Sequence, residues 1–143
     1  MRNRYELTED GKYAIIYIRC NGQERATIIS ADDLPRAQEI PTSWYGERRD
    51  WTMYVRCCFG SPQQYHYLHR WLLRPGEDSE VDHGDHDGLN NTRDNLAEVT
   101  PEENYENRRK ERVFGVTDWR KYEARCVGYR DPDDYDEDYD LPF

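Results

Sequence analysis

Apolar residues in the first half of the chain occur in short runs that are typical of β-strands. Residues 13–20 (YAIIYIRC) and 26–30 form two such runs, and the Asn-Gly pair at positions 21–22 favours a tight hairpin turn between them. Residues 51–59 and 64–67 predict two further strands. This half of the chain is therefore expected to form a small mixed sheet.

Two short helices are predicted beside these strands. Ser30, with Asp33 three residues later, can cap a helix over residues 31–40, although Pro35 lies within its first turns. Residues 68–73 predict the second helix, which follows directly on the last of the four strands.

Residues 80–106 predict a strand, a loop, a return strand and a helix. Val81 is expected to end the first strand, and Glu98-Val99 is typical of a short return strand. The Thr-Pro-Glu-Glu sequence at 100–103 combines an N-cap residue, a proline suited to the first helical position and a capping box. A helix beginning at Pro101 follows from these signals.

Composition limits the possibilities. The 143 residues suggest one domain with appendages, and with only 36% apolar residues but 12 tyrosines and 4 tryptophans we expect a thin, aromatic core. No run of apolar residues approaches the length of a membrane span and no signal peptide is evident, so a cytoplasmic location is expected, in a bacterial host cell if the chain is phage-encoded. The four cysteines lack zinc-site spacing and are interpreted as reduced thiols.

The candidate catalytic residues lie at the end of the first strand predicted within residues 80–106, where the loop begins. Gly84 permits a sharp turn after Asp82 and His83, which can bring both side chains to one phosphate. Asn104 falls in the first turn of the predicted helix, near its positive end, with Arg108 one turn later on the same face.

The segment from residue 67 to residue 109 resembles the HNH endonucleases of the phage and homing type. The pattern of that family is His-Arg, then Asp-His, then Asn-Leu, then Thr-Pro-x-x-Asn, and the spacings fit here without a gap. The matching positions are His69-Arg70, Asp82-His83, Asn95-Leu96 and Thr100-Pro101-Glu102-Glu103-Asn104.

The resemblance implies an α+β fold of the ββα-metal type and the hydrolysis of phosphodiester bonds in double-stranded DNA. By this resemblance Asp82 and Asn104 hold one divalent cation, Mg²⁺ or another such as Mn²⁺. His83 takes a proton from the attacking water, and Asn95 holds the catalytic loop and orients His83. The candidate phosphate contacts are His69, Arg70, Arg108 and Arg109.

His69 has two interpretations that the sequence leaves open. It is either a phosphate contact, as the resemblance implies, or a buried histidine that bonds to the backbone and anchors the helix over residues 68–73.

The segment from residue 104 onward, which begins within the helix predicted from Pro101, is basic. Residues 104–130 contain eight Lys or Arg against four acids, and residues 113–130 resemble the start of the small DNA-binding sheet of AP2 type. We expect a C-terminal β-hairpin that either contacts DNA or completes the sheet. Its candidate DNA contacts are Arg120, Lys121 and Arg125.

Residues 131–143 form an acidic tail that is too charged to fold alone. They carry seven acids and no base, so of the net charge of −10 only −3 belongs to residues 1–130, with 20 basic and 23 acidic side chains. The tip resembles that of bacterial single-stranded DNA-binding proteins, which implies docking on a replication or repair protein. Occupation of the chain's own DNA groove and a solubilising role are the alternatives. The residues of the tip are Asp138, Asp140, Leu141, Pro142 and Phe143.

The sequence thus predicts four regions and two alternative functions. The regions are an α+β supporting region over residues 1–66, an HNH motif over 67–112, a hairpin over 113–130 and a disordered tail over 131–143. The first function is that of a Mg²⁺-dependent HNH endonuclease. The second is that of a non-catalytic acidic protein on the same scaffold, which mimics DNA or docks on replication and repair proteins.

Overall fold

The structure is a computed structural model that describes residues 1–49 and 52–106. Asp50, Trp51 and residues 107–143 lie outside the described residues, and with them lie the predicted hairpin, the acidic tail and the candidate residues Arg108, Arg109, Arg120, Lys121 and Arg125. The strands are β1 (Tyr5–Leu7), β2 (Tyr13–Cys20), β3 (Gln23–Ser30), β4 (Tyr45–Arg49), β5 (Thr52–Phe59), β6 (Gln64–Tyr67), β7 (Glu80–His83), β8 (Asn90–Asn91) and β9 (Leu96–Val99). The helices are a 3₁₀ turn (Ala31–Asp33), α1 (Leu34–Ala37), α2 (Leu68–Leu73) and α3, whose described part covers residues 101–106.

The elements form a mixed α+β fold in which strands predominate over short helices. The largest sheet has the order β1-β2-β3-β8, a second contains β4-β5-β6, and β7 and β9 form a third. Among the described residues no helix is long and apolar enough to cross a membrane.

The hairpin of β2 and β3 confirms the prediction made from the apolar runs and the turn. All eight residues of β2 pair with β3 in antiparallel register. Asn21 and Gly22 both adopt positive φ angles, of 52° and 81°, which is the backbone shape that favours Asn-Gly in a two-residue hairpin turn.

The predicted strands 51–59 and 64–67 are confirmed as β5 and β6. Strand β5 is given from Thr52, because Trp51 lies outside the described residues. Cys57 is buried and its neighbour Cys58 is partly exposed, because successive residues of a strand point to opposite faces. Burial raises the pKa of the Cys57 thiol to about 12. The predicted helix over residues 68–73 is confirmed as α2.

Within the described residues the core is mainly aliphatic, with Trp44 and Tyr17 as its buried aromatic residues, so the expectation of an aromatic core is wrong there. Tyr5, Tyr65 and Tyr105 are 41%, 59% and 64% exposed. A tyrosine needs a partner for its hydroxyl, which favours the margins of a core, whereas isoleucine packs on a pleated sheet without that requirement. The largest fully buried apolar side chains are Trp44, Ile15, Ile16, Ile18, Ile28, Ile29, Ile40, Leu68, Leu72 and Val55.

The predicted helix over residues 31–40 is wrong in its length and in its cap. A 3₁₀ turn precedes α1, which ends at Ala37, and the Ser30 side chain caps neither. The Ser30 hydroxyl instead accepts a hydrogen bond from the backbone N–H of Arg93 at 2.9 Å. The Ser30 hydroxyl, which the local sequence pattern predicted as a helix cap, is therefore used in a tertiary contact instead.

The loop between β7 and β9 is attached to the largest sheet. Within it, β8 pairs in parallel with β3, so that Asn90 lies opposite Ile28. The Arg93 guanidinium bonds both carboxylate oxygens of Asp33, at 2.7 and 3.0 Å, and also the carbonyl of Leu72 at 2.7 Å. These contacts hold the loop against the core at several points along its length.

Gly88 brings the backbone of this loop into close contact with β5. Its N–H donates to the Thr52 hydroxyl at 2.9 Å, and a Cβ atom at this position would lie 2.2 Å from the Met53 carbonyl oxygen. Backbone cannot yield to such a contact as a flexible side chain does. The loop therefore requires glycine here.

We predict that Gly88→Ala lowers the free energy of unfolding by about 1–3 kcal/mol, since the added methyl group displaces the loop from β5. Urea unfolding measures the change. Gly76→Ala is the matched control, because its nearest neighbour would be the Glu98 carboxylate at 3.6 Å, and we expect a change of about 0.5 kcal/mol or less. Equal stability of the two variants would contradict the close approach of the loop.

Candidate functional site

One cavity collects five of the residues selected from the sequence. Its volume is about 250 Å³, and β7, the start of α2, the start of α3 and the sheet of β4–β6 all contribute to its walls. His69, Arg70, Asp82, His83 and Asn104 lie here together. The complete lining is Arg49, Tyr54, Tyr67, His69, Arg70, Glu80, Val81, Asp82, His83 and Asn104.

Asp82 and His83 occupy the end of β7. The strand continues two residues beyond Val81, where the sequence pattern was expected to end it, and His83 pairs with Leu96 of β9. After His83 the chain turns, and the N–H of Gly84 donates to the carbonyl of Asn95 at 2.8 Å. Asp82 and His83 are both buried, at 8% and 5% exposure, yet both line the cavity.

The His83 ring is oriented by Asn91. His83 Nε2 lies 2.9 Å from Asn91 Oδ1, and Asn91 Nδ2 donates to the Gly88 carbonyl at 3.1 Å and to the Thr27 hydroxyl at 2.8 Å. A carbonyl only accepts, so the amide nitrogen of Asn91 must face Gly88 and its oxygen must face the ring. His83 therefore carries its proton on Nε2, and Nδ1 is left with a lone pair.

Asn95 holds the loop but does not bond to His83. Its side-chain nitrogen donates to Asp85 Oδ1 at 2.9 Å and to the Asn90 carbonyl at 2.7 Å, and its oxygen accepts from the Asp85 N–H at 2.9 Å. The loop-holding role fits the expectation for this residue, whereas the hydrogen bond to His83 comes from Asn91. The adjacent pair Asn90-Asn91 resembles an ordinary turn in the sequence, so nothing local distinguished Asn91.

Asn104 reaches the cavity from the first turn of α3. The predicted capping box is confirmed, since the Thr100 N–H donates to the Glu103 carboxylate and the Glu103 N–H donates to the Thr100 hydroxyl, each at 3.2 Å. Asn104 is buried, and its side-chain nitrogen donates to the Glu80 carboxylate. Glu80 was not selected from the sequence, although its position two residues before Asp82 puts both side chains on one face of β7.

Two histidines and a tyrosine pack together on one wall. The His69 and His83 rings meet edge to face with centroids 5.0 Å apart, and the Tyr54 ring lies 5.6 and 5.7 Å from them. His69 Nδ1 is buried and has no hydrogen-bond partner within residues 1–49 and 52–106. His69 is thus buried, as one interpretation expects, but the backbone hydrogen bond of that interpretation is not made by Nδ1, and the residue lines the cavity.

Burial keeps both imidazoles neutral near pH 7. Desolvation lowers the pKa of His69 well below its ordinary value, and the neighbouring His83 and Arg70 lower it further. Desolvation also lowers the pKa of His83, opposed by the hydrogen bond to Asn91 and by the charge of Asp85. A neutral imidazole is the form that can accept a proton.

Two arginines supply positive charge to the cavity. Arg70 donates to the Ser79 carbonyl at 3.1 Å, just before β7. Arg49, at the end of β4, donates to the Tyr67 hydroxyl at 3.0 Å and pairs with Glu47 at 3.1 Å, and its side chain is 55% exposed. The motif pattern did not select Arg49, because it lies outside the segment that carries the motif.

The oxygen donors of the cavity suit a hard cation. The Asp82 carboxylate and the Asn104 amide oxygen are ligands that Mg²⁺ accepts, and this ion commonly takes one or two protein ligands and completes its shell with water and phosphate. No group of three His, Cys, Asp or Glu side chains in the described ranges is arranged to hold a metal ion, so a cation here relies on few protein ligands. The residues present fit a Mg²⁺ ion bound in this way.

We predict that the free energy of unfolding falls as the pH is lowered below about 6.5, the ordinary pKa of histidine. The pKa values of His69 and His83 are lowered in the folded chain, so the unfolded chain binds more protons in that range. NMR titration of the ring protons checks the cause and urea unfolding checks the effect. Titration of both rings at the ordinary pKa would contradict the described burial.

Comparison of this chain with protein-family models, with curated proteins and with solved structures found no match.

Proposed function

We propose that the protein is a metal-dependent endonuclease of the HNH type that hydrolyses phosphodiester bonds in double-stranded DNA. The observation that carries the proposal is the meeting of Asp82, His83 and Asn104 in one cavity. Asp82 and His83 come from β7 and Asn104 comes from α3. These elements are neighbours in space, although the loop and β9 separate them in the sequence. A carboxylate, a neutral imidazole and an amide oxygen are together the groups that metal-assisted hydrolysis requires.

His83 acts as the general base in this proposal. Its Nδ1 lone pair accepts a proton from a water molecule as that water forms a new bond to phosphorus, while the bond from phosphorus to the 3′ oxygen breaks. The imidazolium that results is stabilised by its Nε2–H bond to Asn91 and by the nearby charge of Asp85. Asn91 also prevents rotation of the ring during the transfer.

Asp82 and Asn104 would hold the divalent cation, Mg²⁺ or Mn²⁺. When bound, such an ion neutralises charge on the scissile phosphate and on the leaving oxygen. Arg49 and Arg70 line the same cavity and are suited to bind the flanking phosphates through their guanidinium groups. Through Arg49, the sheet of β4–β6 would therefore also contribute a contact to the DNA.

A second candidate function is favoured by one observation, the net charge of −10. DNA-binding proteins ordinarily gain most of their non-specific affinity by neutralising phosphates, and an acidic chain works against this. The acids are concentrated in residues 131–143, whereas residues 1–130 are close to balanced. In this alternative the chain acts without catalysis as a DNA mimic or as a partner of replication and repair proteins.

We predict that the full chain nicks supercoiled plasmid in Mg²⁺ and that His83→Ala lowers the rate by about 100-fold or more, because general-base catalysis is lost. Gel separation of supercoiled and nicked plasmid over time measures the rate. His66→Gln is the matched control, since His66 stacks on Phe59 at 4.5 Å outside the cavity and its replacement leaves the rate unchanged.

Retention of the wild-type rate by a correctly folded His83→Ala variant would exclude this cavity as the active site. Absence of cleavage by the wild-type chain on double-stranded, nicked and single-stranded substrates would favour the second candidate. A variant ending at Arg130 completes the comparison. Faster cleavage by that variant assigns the acidic tail to inhibition of the nuclease, in line with the unfavourable charge of the tail towards DNA.

A further inference from the structure

We infer that Glu80 is a positioning residue, whose carboxylate fixes the Asn104 amide so that its oxygen is the group available to the cation. The inference rests on the proposed function and adds a residue to it. Its basis is the hydrogen bond from Asn104 Nδ2 to the Glu80 carboxylate at the wall of the cavity.

The chemistry of an amide makes orientation decisive. The asparagine side chain ends in one oxygen, which binds a cation, and one NH₂ group, which cannot. A rotation of half a turn about the last side-chain bond exchanges the two. A metal site that uses asparagine therefore needs a partner that selects one of the two orientations.

An ionised carboxylate is a selective partner because it only accepts hydrogen bonds. Glu80 can bond to the NH₂ group of Asn104 but would repel the amide oxygen. The bond observed between them thus assigns the nitrogen to the Glu80 side and the oxygen to the other side of the amide plane. Among the described residues, the one side-chain hydrogen bond of Asn104 is made by its nitrogen to Glu80, which leaves the oxygen for a ligand.

The positions of the two residues suit this role. Glu80 begins β7 and Asp82 lies two residues later on the same face, so the supporting carboxylate and the proposed cation ligand are carried by one strand. Asn104 is fixed by the first turn of α3, where its N–H bonds to the Thr100 carbonyl at 3.0 Å. Glu80 therefore ties the helix to the strand at the point where both must present oxygen to one ion.

The direct test measures Mn²⁺ binding to the full chain by titration calorimetry. The variants are Glu80→Ala, Asn104→Ala and the two combined, with Asp82→Ala to establish that the ion binds in the cavity. We expect Glu80→Ala to weaken binding by about ten-fold, as loss of a residue that supports a metal ligand commonly does. Glu102→Ala, which removes an exposed carboxylate from the first turn of α3, is the control for charge and leaves binding unchanged.

The combined variant separates positioning from direct ligation. If Glu80 acts through Asn104, then Glu80→Ala changes the affinity less than about two-fold once Asn104 is already alanine, because coupled residues do not contribute independently. An equal loss on both backgrounds would overturn the inference and make Glu80 a ligand or a source of attractive charge. An unchanged affinity of the single Glu80→Ala variant would overturn it as well.

A second measurement does not depend on the metal. In the ¹H–¹⁵N spectrum of the metal-free chain, we expect the two side-chain amide protons of Asn104 to be protected from exchange with water and to lose this protection in Glu80→Ala. Equal exchange in both proteins would overturn the inference. If the protection is lost as expected but wild-type protein binds no Mn²⁺, the proposed nuclease function fails while the assignment of the Asn104 amide orientation stands.

Discussion

The Asn91 side chain is the contact on which the arrangement of the cavity depends. Its amide nitrogen bonds to Thr27 in the largest sheet, and its oxygen bonds to His83 at the end of the smallest one. Asn91 and Thr27 are fully buried, at 0% exposure each. Loss of this amide would leave buried donors and acceptors without partners, which costs about 1–3 kcal/mol for each such group. The orientation of the His83 ring is thus fixed, through Asn91, by residues of the protein core.

The loop between β7 and β9 is bonded to several parts of the fold. Arg93 ties it to Asp33, Gly88 presses it against β5, and Asn95 closes it from within. A loop with few such bonds would leave Asp82 and His83 at a mobile end of a two-stranded sheet. The aliphatic sheet of β2 and β3 therefore helps to position a cavity that it does not line, since it supplies the surface on which the loop is held.

The local parts of the fold could be predicted from the sequence. The β2–β3 hairpin follows from apolar runs and Asn-Gly, and the start of α3 follows from the capping box, because in each case the deciding contacts lie within a few residues. The motif also selects Asp82, His83 and Asn104 from the sequence alone. Strands β1 and β4 were not predicted, since they are short, polar and formed by pairing with a stronger neighbour.

The remainder depended on contacts between distant parts of the chain. Ser30 bonds to Arg93 and not to its own helix, and Asn91 pairs with a threonine 64 residues away. No local pattern encodes such partners. Glu80 was the one missed residue with a usable signal, because it shares a strand face with Asp82 and precedes it by two positions.

We propose that Asp82 and Asn104 share one divalent cation beside His83. Paramagnetic broadening of assigned NMR signals by substoichiometric Mn²⁺ is the decisive experiment, because the effect reports which residues lie near the ion. We expect the signals of Asp82, His83 and Asn104 to broaden first, ahead of those of residues 131–143. Broadening confined to the acidic tail, with signals around the cavity unaffected, would contradict it.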